Sequence, residues 1–228
     1  MAKADSKSCK SGSIQMILRW FSEHDWKPFE FQRKAWLAYS LGQSGLIHAP
    51  TGTGKTYAVS LPPLLEWLEE FPEPAAWPKS IPLRLLWITP LRALANDTAQ
   101  SIAAPIHELK LPWTVELRTG DTSSARRAKQ RERLPSVLVT TPESLSLLLS
   151  YPGTQEMMKS LRSVVVDEWH ELLGTKRGVQ TELCLARLRY WFPALRTWGL
   201  SATLGNLEEA QSVLLGSRAA GAVVISGT

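Results

Sequence analysis

One stretch near residue 50 contains the residue types that hold phosphate groups. Residues 49–56 read Ala-Pro-Thr-Gly-Thr-Gly-Lys-Thr. They follow an apolar run that predicts a buried strand and precede a segment that predicts a helix, which is the order found in phosphate-binding loops. Gly52 and Gly54 can adopt positive φ angles, so successive backbone N–H groups can point at one anion while the helix adds its positive dipole end. The stretch therefore predicts a phosphate-binding loop.

The side chains of this loop predict nucleotide and magnesium binding. Lys55 is expected to reach the β and γ phosphates, and the Thr56 hydroxyl to bind a Mg²⁺ ion that bridges them. The spacing G-x-x-x-x-G-K-T fails at its first position, where Ala49 replaces glycine. A surface turn rich in Gly and Thr is the alternative. The expected nucleotide contacts in the loop are Thr51, Gly52, Thr53, Gly54, Lys55 and Thr56.

A second cluster follows the apolar run at residues 164–166 and reads Asp167-Glu168-Trp169-His170. Carboxylates at the carboxyl end of a buried parallel strand lie where open α/β sheets bind their ligands, so we expect this cluster beside the phosphate-binding loop, on a neighbouring strand. Asp167 is expected to hold Mg²⁺, directly or through water, and Glu168 to orient and deprotonate the attacking water. The two clusters together predict a nucleoside triphosphatase. A helix start at which the acids only complement the dipole is the alternative.

Two other kinds of site are excluded by spacing. His170 and the glutamate after it begin like a zinc-protease motif, but Gly174 stands where that motif requires a second histidine. A dinucleotide-binding fingerprint fails too, because Tyr57 stands where the third glycine would be.

Composition and charge bound the class of protein. With 228 residues, of which 44% are hydrophobic and 21% charged, the chain is typical of one large globular domain. The net charge of +5 is compatible with an acidic partner. Cys9 and Cys184 cannot form a disulfide framework and match no metal site, which favours a reducing, cytoplasmic compartment. We find no signal peptide and no run of the roughly 20 apolar residues that a membrane span needs, so no membrane partner is expected.

Apolar runs alternate with helical patterns, which predicts an α/β fold with a mostly parallel sheet between two helical layers, a three-layer αβα arrangement. Residues 1–13 are expected to be a flexible terminus and residues 14–228 to form one domain, with a proline-rich loop at 71–82. Strands are predicted at residues 45–49, 83–89, 113–118, 136–141, 163–167, 196–200 and 222–226. Helices are predicted at residues 13–23, 28–41, 55–70, 90–109, 122–133, 142–150, 178–191 and 206–215.

The phosphate-binding loop and the downstream Asp-Glu-Trp-His box together resemble the first RecA-like domain of superfamily 2 DEXH-box helicases. The resemblance implies a P-loop NTPase fold that uses ATP and Mg²⁺. Residues 29–32, Phe-Glu-Phe-Gln, resemble the Q motif, which implies that Gln32 reads the adenine edge as donor and acceptor at once. An ordinary exposed helix residue is the alternative for Gln32. The implied catalytic set is Lys55, Asp167, Glu168 and His170.

Three further segments resemble motifs through which these helicases bind a nucleic-acid strand. Each is expected where a strand ends and a helix begins, with Arg92 contacting phosphate and the helix dipoles assisting. A well-capped helix start is the alternative for each, and a basic run at residues 126–133 supports a polyanionic partner. The expected contacts are Pro90, Arg92, Gly120, Asp121, Thr122, Thr141 and Pro142. Ser201, Ala202 and Thr203 resemble motif III, which in this family links hydrolysis to movement between domains.

Residues 29–32, Trp169 and residues 174–180 resemble most specifically the large helicase-related type, the ligase-associated DEXH-box helicases of bacteria. The resemblance covers residues 14–226 and implies a translocase that moves 3′ to 5′ on single-stranded DNA in repair, in the bacterial cytoplasm with the nucleoid, with DNA ligase or nuclease partners. Such helicases need a second RecA-like domain in cis that supplies arginines to the γ phosphate, so residues 1–228 alone are expected to hydrolyse ATP at a near-basal rate and not to unwind. An RNA remodeller, a non-catalytic nucleotide- and nucleic-acid-binding module and, more weakly, a small-molecule kinase remain open.

Overall fold

Seven short segments form one sheet in which all pairings between described strands are parallel. The computed structural model describes the backbone of residues 2–202 and 206–227, and the side chains from residue 12 onward within those ranges. The strands are β1 (Gly45–His48), β2 (Leu85–Ile88), β3 (Val115–Arg118), β4 (Val137–Thr140), β5 (Ser163–Val166), β6 (Arg196–Ser201) and β7 (Val223–Ser226). Their order is β3-β4-β2-β5-β6-β1-β7. The predicted strands are confirmed, with small differences at their ends.

Ten α-helices in the described part of the chain flank or connect these strands. They are α1 (Ala2–Glu23), α2 (Glu30–Ser40), α3 (Lys55–Glu70), α4 (Arg92–Glu108), α5 (Ser124–Glu132), α6 (Pro142–Leu149), α7 (Thr154–Met157), α8 (Trp169–Leu172), α9 (Lys176–Trp191) and α10 (Leu207–Leu215). Two 3₁₀ helices, Pro74–Ala76 and Gly216–Gly221, complete the set. The first of them lies in the predicted proline-rich loop.

Side chains next to each other in a strand enter different apolar cores, because successive strand residues point to opposite faces of the sheet. In β1, Ile47 packs in the core that α1, α2, α3 and α4 complete, and Leu46 packs in the core that α6, α8, α9 and α10 complete. Trp87 and Leu86 of β2 divide in the same way. Both faces of the sheet are therefore buried, as expected for a parallel sheet, and the three-layer αβα fold is confirmed.

The register places the carboxyl ends of the strands at one edge of the sheet. Ile88 of β2 is level with Thr140 of β4 and with Val166 of β5, and His48 of β1 is level with Ser201 of β6. The phosphate-binding loop, the acidic cluster and the three predicted strand-binding segments leave the sheet at this edge, whereas residues 29–32 lie at the start of α2, before the first strand. One expectation is corrected: β5 and β1 are not neighbours, because β6 lies between them. The end of β6 therefore separates the acidic cluster from the phosphate-binding loop.

The helix α1 begins at Ala2, earlier than the predicted start at residue 13 that follows a flexible terminus. Residues 2–13 contain no proline and only one glycine, so nothing in the sequence interrupts the helix. Ile17, Trp20 and Phe21 of this helix are buried, and the Trp20 indole donates to the Glu108 carboxylate at 2.7 Å. The assignment of residues 14–228 to one domain stays a prediction.

Among the residues that the structure describes, no helix combines the length and the apolar character that crossing a bilayer would require.

Candidate functional site

The loop between β1 and α3 has the backbone shape that binds anions. Gly52 and Gly54 have φ angles of 79° and 76°, in the left-handed region that favours glycine. Gly54 is the N-cap residue of α3 and supplies no side-chain cap, so no side chain covers the N–H groups of the first turn. A Cβ atom at Gly52 would meet nothing within 4 Å, which leaves the concave side of the loop accessible. A helix start of this kind attracts phosphate.

The Lys55 ammonium lies inside this loop. Its Nζ donates to the Ala49 carbonyl at 2.6 Å and to the Pro50 carbonyl at 3.4 Å, while the Thr53 hydroxyl donates to Pro50 at 2.7 Å. Burial lowers the pKa of Lys55, and the nearby carboxylates of Glu168 and Asp167 act in the opposite direction. The Lys55 ammonium therefore interacts electrostatically with both carboxylates of the second cluster. Ala49, which replaces the first glycine of the motif, contributes only backbone to this arrangement.

The acidic pair lies at the end of β5. Two hydrogen-bond donors fix the Asp167 carboxylate, and the backbone of Glu168 is strained. Asp167 accepts from the Glu168 backbone N–H at 3.0 Å and from the Trp87 indole at 3.3 Å. Glu168 has a φ of 44°, an uncommon conformation for a residue with a side chain and one that clusters at functional sites. Burial, together with the negative charge of Glu168, raises the pKa of Asp167 to about 6. A cation bound here would relieve both effects.

One open cavity of about 260 Å³ joins the two clusters. Its lining includes Thr51, Gly52, Gly54, Lys55, Thr56, Asp167 and Glu168. A hydroxyl and a carboxylate are hard oxygen donors of the kind that Mg²⁺ prefers, and the ion usually completes its shell with phosphate oxygens and water. The residues present therefore fit a Mg²⁺ ion and a polyphosphate. The structure brings the predicted loop and acid residues into one site, while their individual roles stay predictions.

Gln32 connects the start of α2 to the phosphate-binding loop. Its side chain has 1% exposure, so the alternative of an ordinary exposed helix residue is wrong. The Oε1 atom accepts from the Phe29 backbone N–H at 2.8 Å, and the Nε2 atom donates to the Gly54 carbonyl at 2.8 Å. These contacts use one N–H and one acceptor position of the amide, which has two of each. The adenine contact of Gln32 stays a prediction.

His170 connects the acidic cluster with the end of β6. Its Nδ1 atom lies 3.1 Å from the Ser201 hydroxyl and 3.4 Å from the nearer carboxylate oxygen of Glu168. The predicted coupling residue Ser201 is buried, and Ala202 is half-buried beside it. Thr203 lies outside the described residues. The imidazole ring of His170 therefore links the Glu168 carboxylate to the Ser201 hydroxyl at the end of β6.

The three predicted strand-binding segments lie side by side. They follow Ile88, Arg118 and Thr140, which are level with one another in neighbouring strands. The Thr89 backbone N–H donates to the Thr140 carbonyl at 2.9 Å, and the Thr140 hydroxyl donates to the Arg118 carbonyl at 2.7 Å. The first of these hydrogen bonds extends the pairing of β2 and β4 by one residue, and the second links the ends of β3 and β4 through a side chain. The segments that begin at residues 90, 120 and 141 are therefore fixed relative to each other.

Arg92 packs directly over the second of these segments. A Cβ atom at Gly120 would lie 2.8 Å from the Arg92 guanidinium, so glycine is the residue that permits this approach. The guanidinium lies 3.8 Å from an Asp121 carboxylate oxygen, and both side chains are more than half exposed. Thr122 holds the turn by accepting from the Thr119 backbone N–H at 2.9 Å. The Arg92 guanidinium is therefore exposed, and a phosphate could displace the Asp121 carboxylate from it.

Part of the basic run on α5 is structural. Arg127 donates to the carbonyls of Thr119 at 2.9 Å and of Gly120 at 2.6 Å, and Arg126 lies 3.6 Å from the Glu116 carboxylate. Arg127 therefore stabilises the loop at residues 119–120, a role that the sequence did not predict. No local pattern separates such a supporting arginine from a solvent-exposed one. Trp87 was missed for a similar reason, because its apolar neighbours indicate only packing.

A larger cavity of about 400 Å³ lies between α1, α2 and α3, away from the strand ends. Its charged side chains neutralise each other. Glu66 accepts from the Tyr39 hydroxyl at 3.0 Å and from the Arg196 guanidinium at 3.0 Å. The cation of Arg196 also lies 4.1 Å from the centre of the Tyr39 ring. Size alone does not make this cavity the functional site, because it lies away from the residues of the phosphate-binding loop and the acidic cluster.

The chain matches the family described as DEAD/DEAH box helicase over residues 29–210. It is 34% identical over 230 residues to the ATP-dependent helicase Lhr-Core of Methanothermobacter thermautotrophicus, a match covering 95% of this chain and 26% of that protein. It is 39% identical over 210 residues to the Lhr helicase and probable uracil glycosylase of Mycolicibacterium smegmatis, covering 86% and 13% of the two chains. The solved structure of Mycobacterium smegmatis helicase Lhr bound to ssDNA and AMP-PNP superposes with a TM-score of 0.76 at 33% identity, over 92% of this chain and 27% of that one. The chain thus spans about a quarter or less of the length of these relatives.

The raised pKa of Asp167 predicts a pH-dependent stability difference between the parent chain and Asp167→Asn. Because the folded carboxyl holds its proton more tightly than the unfolded one, the folded state binds more protons below about pH 6. The parent is therefore expected to lose stability relative to the variant as pH rises from about 4.5 to about 7.5, by about 2 kcal/mol. Urea unfolding at several pH values measures this difference.

The control for this experiment is Asp97→Asn, which removes one exposed carboxylate from α4. Because only the slope with pH is compared, a constant cost of placing an amide beside the Trp87 indole does not affect the result. A parent and an Asp167→Asn variant whose stabilities run parallel across the range would contradict the raised pKa.

Proposed function

Because this chain belongs to the DEAD/DEAH box helicase family, we propose that residues 14–228 form the ATP-binding motor domain of an ATP-dependent helicase of the Lhr type. The relatives named above support the Lhr-type resemblance. The observation that carries the proposal is the single cavity that Lys55, Thr56, Asp167 and Glu168 line together. The reaction is hydrolysis of ATP to ADP and phosphate.

Each residue of the cavity has a separate role in ATP hydrolysis. Lys55 exchanges its two carbonyl acceptors for β and γ phosphate oxygens, and the first N–H groups of α3 surround the same oxygens. Thr56 and Asp167 hold Mg²⁺, which supplies charge neutralisation across the phosphates when bound. Glu168, the side chain next along from the metal ligand, orients the attacking water and takes its proton. Gln32 reads the adenine edge with the donor and acceptor positions that its contacts to Phe29 and Gly54 leave unused.

The link from Glu168 through His170 to Ser201 supports a coupling role for the end of β6. When the charge near Glu168 changes on hydrolysis, the imidazole can change its hydrogen bond to the Ser201 hydroxyl. Ala202 and Thr203, which continue the same segment, would carry this change away from the nucleotide. Movement between domains is the expected result.

We propose that the edge of the sheet that carries Pro90, Arg92, Gly120, Asp121, Thr122, Thr141 and Pro142 binds the backbone of single-stranded DNA. Arg92, Gly120 and Asp121 are exposed on this edge, whereas Pro90, Thr141 and Pro142 are buried. The adjacency of the three segments supports this, since backbone contacts need several donors in a row. Mycobacterium smegmatis helicase Lhr was solved bound to ssDNA and AMP-PNP. Movement in the 3′ to 5′ direction, a repair setting, ligase or nuclease partners and a bacterial, nucleoid-associated location belong to the same proposal.

Strand separation is proposed for a whole helicase that also contains a second RecA-like domain. An arginine supplied to the γ phosphate by such a partner domain contributes roughly 10³ to 10⁵ in turnover. Residues 1–228 are therefore proposed to bind ATP with Mg²⁺ and nucleic acid without unwinding a duplex. The nucleotide site lies within the described residues, whereas unwinding is proposed only for a protein in which a second RecA-like domain is also present.

Glu168→Gln tests the proposed catalytic role. The variant keeps the shape of the side chain and cannot take a proton, so nucleotide affinity is expected to stay within a few-fold of the parent, while phosphate release falls from the low rate of the parent to the rate of a protein-free sample. Fluorescent-nucleotide binding and phosphate release measure the two quantities. Glu208→Gln, an exposed residue of α10, serves as the matched control and should leave both unchanged. Equal turnover in the parent and in Glu168→Gln would remove Glu168 from its role.

The choice between DNA and RNA is open to a direct comparison. Phosphate contacts dominate the proposed edge, and only groups that read the 2′-hydroxyl would favour RNA. We expect this chain to bind oligothymidylate more tightly than oligouridylate of the same length, measured by fluorescence anisotropy at one salt concentration. A preference for the RNA strand would replace the DNA proposal with an RNA remodeller.

A further inference from the structure

The first turn of α9 carries two basic residues, Lys176 and Arg177, that the nucleotide site does not use. Arg177 is the second residue of this helix, and the first turn contains no acidic residue. A cation at a helix N-terminus opposes the helix dipole, so a partner outside the helix must offset the cost. The sequence analysis gave residues 174–180 no role beyond family resemblance. The partners of Arg177 therefore indicate why the charge is there.

The Arg177 guanidinium joins two of the strand-binding segments. Its Nη1 donates to the Pro90 carbonyl at 2.8 Å, while its Nε and Nη2 donate to the two carboxylate oxygens of Glu143. Pro90 lies just before α4, and Glu143 lies in the first turn of α6. One planar side chain thus connects the starts of three helices, which a lysine ammonium cannot do with the same geometry.

The pair with Glu143 is ionic at neutral pH. Burial acts to raise the pKa of Glu143, but the hydrogen bonds that it accepts, first among them the one from Arg177, hold the pKa below its ordinary value. Both side chains remain more than one third exposed, so the pair faces the same solvent as Arg92. The bridge therefore lies on the proposed strand-binding edge rather than beneath it.

The base from which Arg177 projects is rigid. Thr175 caps α9 by accepting from the Gly178 backbone N–H at 3.0 Å, and its hydroxyl donates to the Leu172 carbonyl at 2.7 Å. A Cβ atom at Gly178 would lie 2.0 Å from the Leu172 carbonyl oxygen, so α8 and α9 are in direct contact there. Because α8 also carries His170, the position of Arg177 is fixed relative to the acidic cluster.

We propose that Arg177 is a positioning residue for nucleic-acid binding: together with Glu143 it ties the N-terminal end of α4 to α6 and α9, so that the first N–H groups of α4 face a phosphate of the strand. The first turn of α6 serves as the anchor, because Pro142 has no N–H and the Thr141 hydroxyl already accepts from the Ser144 backbone N–H. The inference rests on the proposed function. The N-cap residue of α4, Leu91, supplies no side-chain cap, so the first N–H groups of that helix are open to phosphate. Arg177 acts through the Pro90 carbonyl and the Glu143 carboxylate, and it does not need to touch the strand.

The test compares binding of fluorescein-labelled oligothymidylate by the parent chain and by Arg177→Ala, Arg177→Lys, Glu143→Gln and the double variant Arg177→Ala/Glu143→Gln. Each single variant is expected to bind about tenfold more weakly. The double variant should bind no more weakly than Arg177→Ala or Glu143→Gln alone, because both substitutions remove the same bridge.

Glu143→Gln is the most informative variant. It removes a negative charge near the strand, so charge alone predicts tighter binding, whereas loss of the bridge predicts weaker binding.

The control is the pair Arg19→Ala and Glu23→Gln, which removes the same charges from an exposed ion pair of 2.9 Å on α1. It should leave binding unchanged. Affinity for Mg²⁺ and AMP-PNP and the melting temperature check that each variant folds. Tighter or unchanged binding by Glu143→Gln, or full binding by Arg177→Lys, would overturn the positioning role in favour of a direct phosphate contact. A parent chain that does not bind the strand would instead overturn the proposed strand binding, and the assignment of Arg177 with it.

Discussion

The parallel register of the sheet is the constraint on which the rest of the structure depends. Because all strands run in one direction, their carboxyl ends, and the loops that follow, meet at a single edge. Residues separated by more than a hundred positions in the sequence, such as Lys55 and Asp167, therefore line one cavity. The two buried cores on either side of the sheet hold that register, since a slip by one residue would exchange every strand side chain between them.

Burial of the charged groups of Lys55 and Asp167 at this edge costs folding free energy when no ligand lies between them. Burial raises the pKa of Asp167 and lowers the pKa of Lys55, so each group is displaced from its ordinary value in the direction that disfavours its charged form. In the proposed function the same groups would gain strong interactions from a cation and phosphates bound between them. The positive φ of Glu168 is a further cost at the same place. The sites of strain and the sites of proposed chemistry coincide.

The sequence predicted the fold and the chemistry where the signal is local, and it failed where the signal is spatial. The strands follow from apolar runs, and the phosphate-binding loop follows from glycine spacing next to a strand and a helix. The four-residue helices α7 and α8 were not predicted, because four residues are too few to show a helical period. The position of β6 between β1 and β5 depends on how the cores pack, which no single segment encodes.

Side-chain partners were the least predictable part of the site. Gln32 was expected to face a base, but whether its amide is open or bonded to Gly54 depends on a contact between residues 22 positions apart. Arg177 and Glu143 are 34 positions apart and belong to different helices, so neither carries a local mark of the other. A residue type states what a side chain can donate or accept, and the fold alone decides which partner it meets.

Lys55 and Asp167 are proposed to act on one bound complex of Mg²⁺ and nucleotide. The decisive measurement is the AMP-PNP affinity of the parent, Lys55→Ala and Asp167→Asn, determined in Mg²⁺ and again in EDTA. Lys55→Ala is expected to weaken binding in both conditions. Asp167→Asn should weaken it about tenfold or more in Mg²⁺ and leave it equal or tighter in EDTA, where the carboxylate only repels phosphate. An Asp167→Asn effect that is the same with and without Mg²⁺ would contradict the shared site.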